Sequence, residues 1–185
     1  IELGCGGSIA YHGSISDRVI CVYLTYGEKL GDKEIRAAET KRAREILGVQ
    51  EVIFLGLEDT NIPQSHEVIS RLDDLVDKYH PQQVYTHSLT DFHQDHRTTA
   101  QLSMAAFRYV HRVLSYEGPR VSAHFIPNYF VDISDFLDVK RRALQCHKSQ
   151  RRKYYMTHQS MLSLASFRGR QVNTRFAEAF EAIRY

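Results

Sequence analysis

Residues 19–25 read Val-Ile-Cys-Val-Tyr-Leu-Thr, a continuous apolar run that is rich in β-branched and aromatic side chains. Such a run predicts a strand that is covered on both faces, as strands of parallel sheets are. The residues that follow predict a helix over 33–47, with Asp32 as its N-cap and Gly48 at its C-terminal end. Together they indicate a strand and a crossover helix of an α/β fold.

The same alternation continues along the chain. Apolar strands are expected at residues 52–55, 83–87, 113–117 and 125–133, and helices at 65–79, 98–112 and 136–146, the last capped by Ser134 or Asp135. Strands that alternate with helices predict a parallel sheet with right-handed crossovers. A helix is also expected over the glycine-rich residues 4–12. Because such glycines usually follow a strand, we expect a single domain over residues 1–185 whose first strand precedes Ile1.

Composition narrows the class of protein. A chain of 185 residues with 43% apolar content can form one core, and a formal net charge of +2 favours no class of partner. Cys5, Cys21 and Cys146 lie far apart and form no Cys-x-x-Cys pair, which favours buried or idle thiols in a reducing compartment. Neither an apolar run of membrane-spanning length nor a signal peptide is visible. These features predict a cytoplasmic protein.

The densest group of chemically active side chains is at residues 90–97, Thr-Asp-Phe-His-Gln-Asp-His-Arg. If a helix begins here, His93 and His96 share one face, a spacing that suits two imidazoles approaching one metal or one substrate atom. Asp95 could orient one of these imidazoles by accepting a hydrogen bond from a ring nitrogen, without binding the metal itself. The group also follows the end of a predicted strand, where open α/β sheets place their sites. The alternative is two solvated histidines in a first helical turn.

The charge distribution is uneven. Residues 140–177 contain ten Lys or Arg and no Asp or Glu. This pattern fits solvated helix faces, or a basic wall around a pocket for an anionic substrate. Nucleic acid is a third candidate, but the stretch has no recognised binding motif.

Several segments, in order along the chain, resemble the LmbE-like (PIG-L) zinc deacetylases. Residues 1–10 resemble the segment that directly follows the family's His-Pro-Asp-Asp motif, and residues 91–97 resemble its second motif. The other matching positions are residues 36–39, 47–49, 54–56, Asp59, Ala143, Leu144, His147, Ser149, Gln150, 168–169 and 177–180. The matches extend over the whole length of the chain.

The resemblance implies a Rossmann-like three-layer α/β sandwich with a mostly parallel sheet. It also implies a hydrolase that removes an N-acetyl group from an N-acetylglucosamine-type sugar with one bound zinc. The substrate would be a small molecule, including phosphate- or nucleotide-bearing sugars given the basic stretch. No nucleic acid or membrane partner is expected, and a homo-oligomer is compatible with the fold.

The resemblance also implies residue roles. His96 would bind zinc, His93 would stabilise the oxyanion and protonate the leaving amine, and Asp95 would support the site from behind. Arg36 and Asp59 would contact substrate. The remaining zinc ligands and the carboxylate base belong to the His-Pro-Asp-Asp motif, and we expect them before Ile1. His147 matches a family position without an assigned role.

Two alternatives stay open at this point. A chain without the preceding ligands would be a catalytically inactive relative that binds a sugar or nucleotide. A chain with them could equally be a zinc amidase that acts on a non-sugar substrate.

Overall fold

The computed structural model describes residues 1–185 except the side chain of Leu30. Helices and strands alternate over most of the chain. The α-helices are α1 (Glu2–Ser14), α2 (Lys33–Leu47), α3 (His66–Tyr79), α4 (Gln94–Ala106), α5 (Leu137–Gln145) and α6 (His158–Gln171). The strands are β1 (Ile20–Tyr23), β2 (Glu51–Phe54), β3 (Gln83–Thr86), β4 (Arg112–Tyr116), β5 (Tyr129–Asp132) and β6 (Ala177–Arg184).

The strands form two sheets. β1 and β2 pair in parallel, and the second sheet has the strand order β3-β4-β6-β5. In that second sheet β3 and β4 are parallel, but β4 and β6 are antiparallel. The α/β class is therefore confirmed, whereas the expectation of a mostly parallel sheet is not, because the second sheet is mixed. The antiparallel partner is β6, a strand that the sequence pattern did not predict.

By its contacts the chain divides into two compact units, of which the first comprises residues 1–59 and 130–178. Its helix α2 has the predicted bounds, since the Asp32 side chain accepts the N–H groups of Glu34 and Ile35 and Gly48 ends it at φ +74°. Gly7 in α1 lies against Ile133, so that a β-carbon at Gly7 would come within 2.6 Å of that side chain. The glycine therefore allows close packing.

A buried ion pair ties three segments of the first unit together. Lys140 Nζ in α5 lies 2.6 Å from Glu178 Oε1 in β6, and both residues are only 4% exposed. The Glu178 carboxylate also accepts the backbone N–H groups of Gly7 and Ser8, each over 2.7 Å, and the Ser8 hydroxyl over 2.6 Å. Because the two charges pair and the carboxylate accepts three further hydrogen bonds, the pair can be buried.

The second unit comprises residues 60–129 and 179–185. Helices α3 and α4 pack against each other, and α4 packs on β3. The buried apolar side chains of this unit include Val68, Leu72, Ala100, Leu102, Val113, Leu114 and Phe180.

Three predictions about helix ends were wrong: both ends of the helix expected over 98–112, and the cap of α5. α4 begins at Gln94 rather than residue 98, because His93 caps it by accepting the Asp95 N–H through its side chain. It ends at Ala106, before β4. α5 is capped by neither Ser134 nor Asp135, since its N-cap is Phe136 with no side-chain hydrogen bond.

Among the described residues, no helix combines the length and apolar character needed to cross a membrane.

We expect Glu178→Gln to destabilise the protein by about 3–5 kcal/mol, because it leaves the buried Lys140 without a counter-charge and turns an NH₂ group towards existing donors. Urea unfolding at neutral pH measures the change. The matched control is Glu45→Gln in α2, whose side chain is exposed, with an expected effect within about 0.5 kcal/mol. Equal stability of the two variants would contradict the role of the ion pair.

Candidate functional site

Three side chains in the second unit form a group that could hold a metal ion. His87 directly follows β3, Asp91 lies in the loop after it, and His96 lies in the first turn of α4. One ligand atom from each residue lies within 4.8 Å of the others. The group thus occupies the carboxyl end of a parallel strand and the start of the next helix, where α/β folds place ligands.

The centre of the group is the Asp91 carboxylate, whose residue is 2% exposed. His96 Nδ1 lies 2.9 Å from Asp91 Oδ2, and the backbone N–H of His93 donates to Asp91 Oδ1 over 2.7 Å. Burial opposes ionisation, but these hydrogen bonds outweigh it and lower the pKa of Asp91 below its usual value. An ionised Asp91 accepts a hydrogen bond from the Nδ1–H of His96, which leaves the lone pair of Nε2 on that ring free to bind a metal.

His87 lies against the His96 ring. Their ring centroids are 3.9 Å apart with an interplanar angle of 15°, and Tyr116 packs on His87 at 4.9 Å. Burial first, and then the neighbouring His96 and His93, lower the pKa of His87 well below 6.5. His87 is therefore neutral near pH 7, the form in which an imidazole binds a metal.

His93 lies on the other side of His96, with ring centroids 4.6 Å apart. Nδ1 of His93 accepts a hydrogen bond from the backbone N–H of Asp95 over 3.2 Å. The pKa of His93 is lowered, and burial is the largest cause. A neutral imidazole whose Nδ1 accepts a hydrogen bond carries its proton on Nε2. The helix cap thus makes His93 a hydrogen-bond donor at Nε2.

Asp95 is buried, and its Oδ2 accepts the backbone N–H of Thr60 over 2.8 Å. Nδ1 of His96 donates its hydrogen bond to Asp91 instead of Asp95. Arg97 completes the local network, because its Nη1 donates to the backbone carbonyl of Asp91 over 2.7 Å.

Arg36 and Asp59, expected to contact substrate, both belong to the first unit. The Arg36 guanidinium lies against Gly27, where a β-carbon would come within 2.5 Å of it and where φ is +70°. Asp59 Oδ2 accepts the Lys29 N–H over 3.0 Å. Their roles towards substrate stay predictions.

The basic stretch contributes to a cavity in the first unit. Its volume is about 410 Å³, and His147, Lys148 and Arg151 are among the residues that line it. His147 Nε2 also lies 3.0 Å from Glu2 Oε1. Part of the stretch thus lines a concave surface.

The sequence pattern does not single out His87 or Asp91 as site residues. His87 carried one usable signal, its place directly after a predicted strand, and Asp91 lay inside the histidine-rich segment. Their convergence depends on how the loop 87–91 folds.

Comparison with known proteins identifies relatives over most of the chain. Residues 1–107 match the PIG-L family, described as GlcNAc-PI de-N-acetylase. An uncharacterized deacetylase, YaiS, from Escherichia coli K12 is 36% identical over 80% of this chain and 85% of its own. Diacetylchitobiose deacetylase from Thermococcus kodakarensis is 27% identical over 98% of this chain and 78% of its own.

Solved structures share the fold. The conserved protein TT1542 from Thermus thermophilus superimposes with a TM-score of 0.90 at 26% identity, over 98% of this chain and 89% of its own. GalB from Pseudomonas putida KT2440, a 4-carboxy-2-hydroxymuconate hydratase, superimposes with a TM-score of 0.86 at 25% identity. The match covers 100% of this chain and 91% of GalB. The fold therefore occurs in proteins named for two different reactions.

The lowered pKa of His87 predicts a pH dependence of stability. Below about pH 6.5 the unfolded chain binds a proton at His87 that the folded chain does not, so the free energy of unfolding falls as pH decreases from 7 to 5. In the His87→Asn variant, this contribution to the decrease in the free energy of unfolding should be absent. Urea unfolding of metal-free protein at both pH values measures it, with the exposed His111→Asn as control. An undiminished fall in His87→Asn would contradict the neutral state of the folded imidazole.

Proposed function

Because the chain belongs to the PIG-L family of GlcNAc-PI de-N-acetylases, we propose that it is a zinc-dependent deacetylase of an N-acetylglucosamine-type sugar. One observation carries the proposal: Asp91 holds His96 with Nε2 free, beside a His93 whose Nε2 is a donor. The relative named for diacetylchitobiose supports the sugar class.

The residues fit a zinc site. Zinc binds imidazole nitrogen, and His87 and His96 offer ring nitrogens within one small volume, with the Asp91 carboxylate orienting His96. His96 would hold the ion through Nε2, and His87 is the adjacent nitrogen donor. Bound zinc supplies a Lewis acid that polarises the amide carbonyl and acidifies water towards a pKa of about 7.

His93 acts on the substrate from the neighbouring position. Its Nε2–H can donate to the oxygen that becomes negative when water attacks the amide carbon. Because a neutral imidazole that lost this proton would become an anion, His93 keeps it, and the proton released by the attacking water passes to the leaving amine as the C–N bond breaks. The hydrogen bond that Nδ1 of His93 accepts from the Asp95 N–H holds the ring proton on Nε2. The ring therefore does not need to change tautomer before it donates a hydrogen bond.

Other residues orient these groups. Asp91 fixes the ring of His96, and Asp95 anchors the start of α4 to Thr60. We assign Arg36 and Asp59 to substrate contact, on the family resemblance. A small-molecule N-acetyl sugar is the partner, and an anionic group on it would match the basic stretch.

Hydration of a conjugated acid is the second candidate, favoured by the likeness to GalB. The same histidines would then act on water and a carbon–carbon double bond. Deacetylation releases acetate from an N-acetyl sugar, whereas hydration removes the absorbance of a conjugated substrate. Parallel assays of these two products discriminate the reactions.

We expect His96→Ala to lose both zinc and turnover, because it removes a direct ligand. His93→Ala should keep zinc and lose about a hundredfold or more in turnover, because it removes the donor to the oxyanion. Elemental analysis of the natural polypeptide and acetate release from diacetylchitobiose measure the two effects.

The exposed His158→Ala in α6 is the matched control and should retain both zinc and activity. Undiminished turnover in His93→Ala would show that His93 does not stabilise the oxyanion. A His96→Ala variant that keeps its full zinc content would show that His96 is not a zinc ligand.

A further inference from the structure

Two buried hydroxyl groups contact the backbone between β3 and α4. Ser88 lies in the loop itself and is 1% exposed, and Ser115 lies on β4 and is 0% exposed. Burying a hydroxyl costs free energy unless it has a hydrogen-bond partner, and alanine would fill nearly the same space without that cost. The partners of these two serines therefore indicate what their hydroxyl groups do.

Ser115 fixes the first residue of the loop. Its Oγ donates to the backbone carbonyl of His87 over 2.8 Å. Ser115 is the strand partner of Thr86, the last residue of β3, so this bond extends the attachment to the sheet one residue beyond the parallel ladder. His87, a member of the group that could hold a metal ion, is thereby kept at the end of the strand.

Ser88 closes the turn that follows. Its hydroxyl oxygen accepts the Thr90 N–H over 3.1 Å, and its backbone carbonyl accepts the Asp91 N–H over 3.3 Å. A serine side chain that binds the backbone two residues further on stabilises a turn in place of a main-chain hydrogen bond. The Ser88 hydroxyl also donates to Glu181 Oε2 on β6 over 3.4 Å, so the turn is attached to a strand as well.

The hydrogen bonds act at both ends of the loop 87–91. His87 is its first residue, and Asp91 is its last. Asp91 in turn accepts the hydrogen bond of His96 Nδ1 and the backbone N–H of His93. The convergence of the metal-binding group therefore depends on the conformation that the two serines stabilise.

We propose that Ser88 and Ser115 are positioning residues of this site. Their hydroxyl groups hold the loop in the conformation in which His87, Asp91 and His96 converge, without contacting metal or substrate themselves. When either hydroxyl is removed, the loop relaxes and the hydrogen bond from His96 to Asp91 weakens. The inference rests on the proposed function, because it concerns the same site.

The first test observes the tautomer of His96 in metal-free protein. Long-range proton–nitrogen NMR correlations at mildly alkaline pH distinguish the two neutral tautomers of an imidazole. Wild type should show the Nδ1–H form, which the hydrogen bond to Asp91 selects. Ser88→Ala and Ser115→Ala should each show a mixture of this form with the Nε2–H form.

The second test measures zinc affinity by competition with a chromophoric chelator, on the natural polypeptide. Loss of a group that orients a metal ligand typically weakens metal binding about 10–100-fold. Because the two serines act through the loop backbone, we expect the lower end of this range, about tenfold, for each variant.

Ser8→Ala is the matched control. Ser8 is also 0% exposed, and its hydroxyl donates to Glu178 in the first unit over 2.6 Å. Its removal should lower the urea midpoint as the other two substitutions do, but leave the His96 tautomer and the zinc affinity at their wild-type values. An unchanged tautomer in both Ser88→Ala and Ser115→Ala, or the same change in Ser8→Ala, would overturn the inference.

Acetate release by the zinc-loaded proteins separates this inference from the proposed function. An altered tautomer in the Ser88 and Ser115 variants, beside a wild type that releases no acetate, would leave the positioning role in place and refute the deacetylase. Acetate release by wild type, with the tautomer and the zinc affinity unchanged in both variants, would keep the deacetylase and refute the positioning role.

Discussion

The second unit depends on one buried carboxylate. Asp91 is 2% exposed, yet its pKa is lowered because His96 and the His93 N–H occupy its two oxygens. An unpaired charge at such depth would cost several kcal/mol. The loop after β3 and the start of α4 therefore adopt the arrangement that supplies its partners. The same hydrogen bonds fix the ring of His96 and position His93, so the requirement that stabilises the charge also builds the site.

The parts of the fold that local residues determine were predictable. The bounds of α2 were confirmed because Asp32 and Gly48 end the helix through contacts within a few residues. β6 was missed because its pairing depends on remote partners. Glu178 reads as a surface residue in sequence, but in the structure it is buried against Lys140, and Phe180 pairs with Tyr116 on β4. Strand formation of this kind follows tertiary context more than intrinsic preference, and it made the second sheet mixed.

The site was predictable where its residues are neighbours in sequence. His93 and His96 lie three apart, and α4 does place their rings together. The capping role of His93 was missed because histidine is not a usual N-cap. His87 and the orienting role of Asp91 depend on the conformation of the loop between them, which spacing does not reveal. The resemblance to the PIG-L family, now confirmed, identified the motif, whereas Arg36 and Asp59 belong to the first unit and their substrate roles stay predictions.

The central claim is that zinc bound at this site enables the chain to deacetylate a sugar. The most direct measurement follows acetate release from diacetylchitobiose while the chelator-stripped natural polypeptide is titrated with zinc. The account predicts no acetate without metal and a rate that rises with zinc until about one ion per chain is bound. Acetate release that is unaffected by stripping, or no acetate from any N-acetyl sugar at full zinc occupancy, would contradict it.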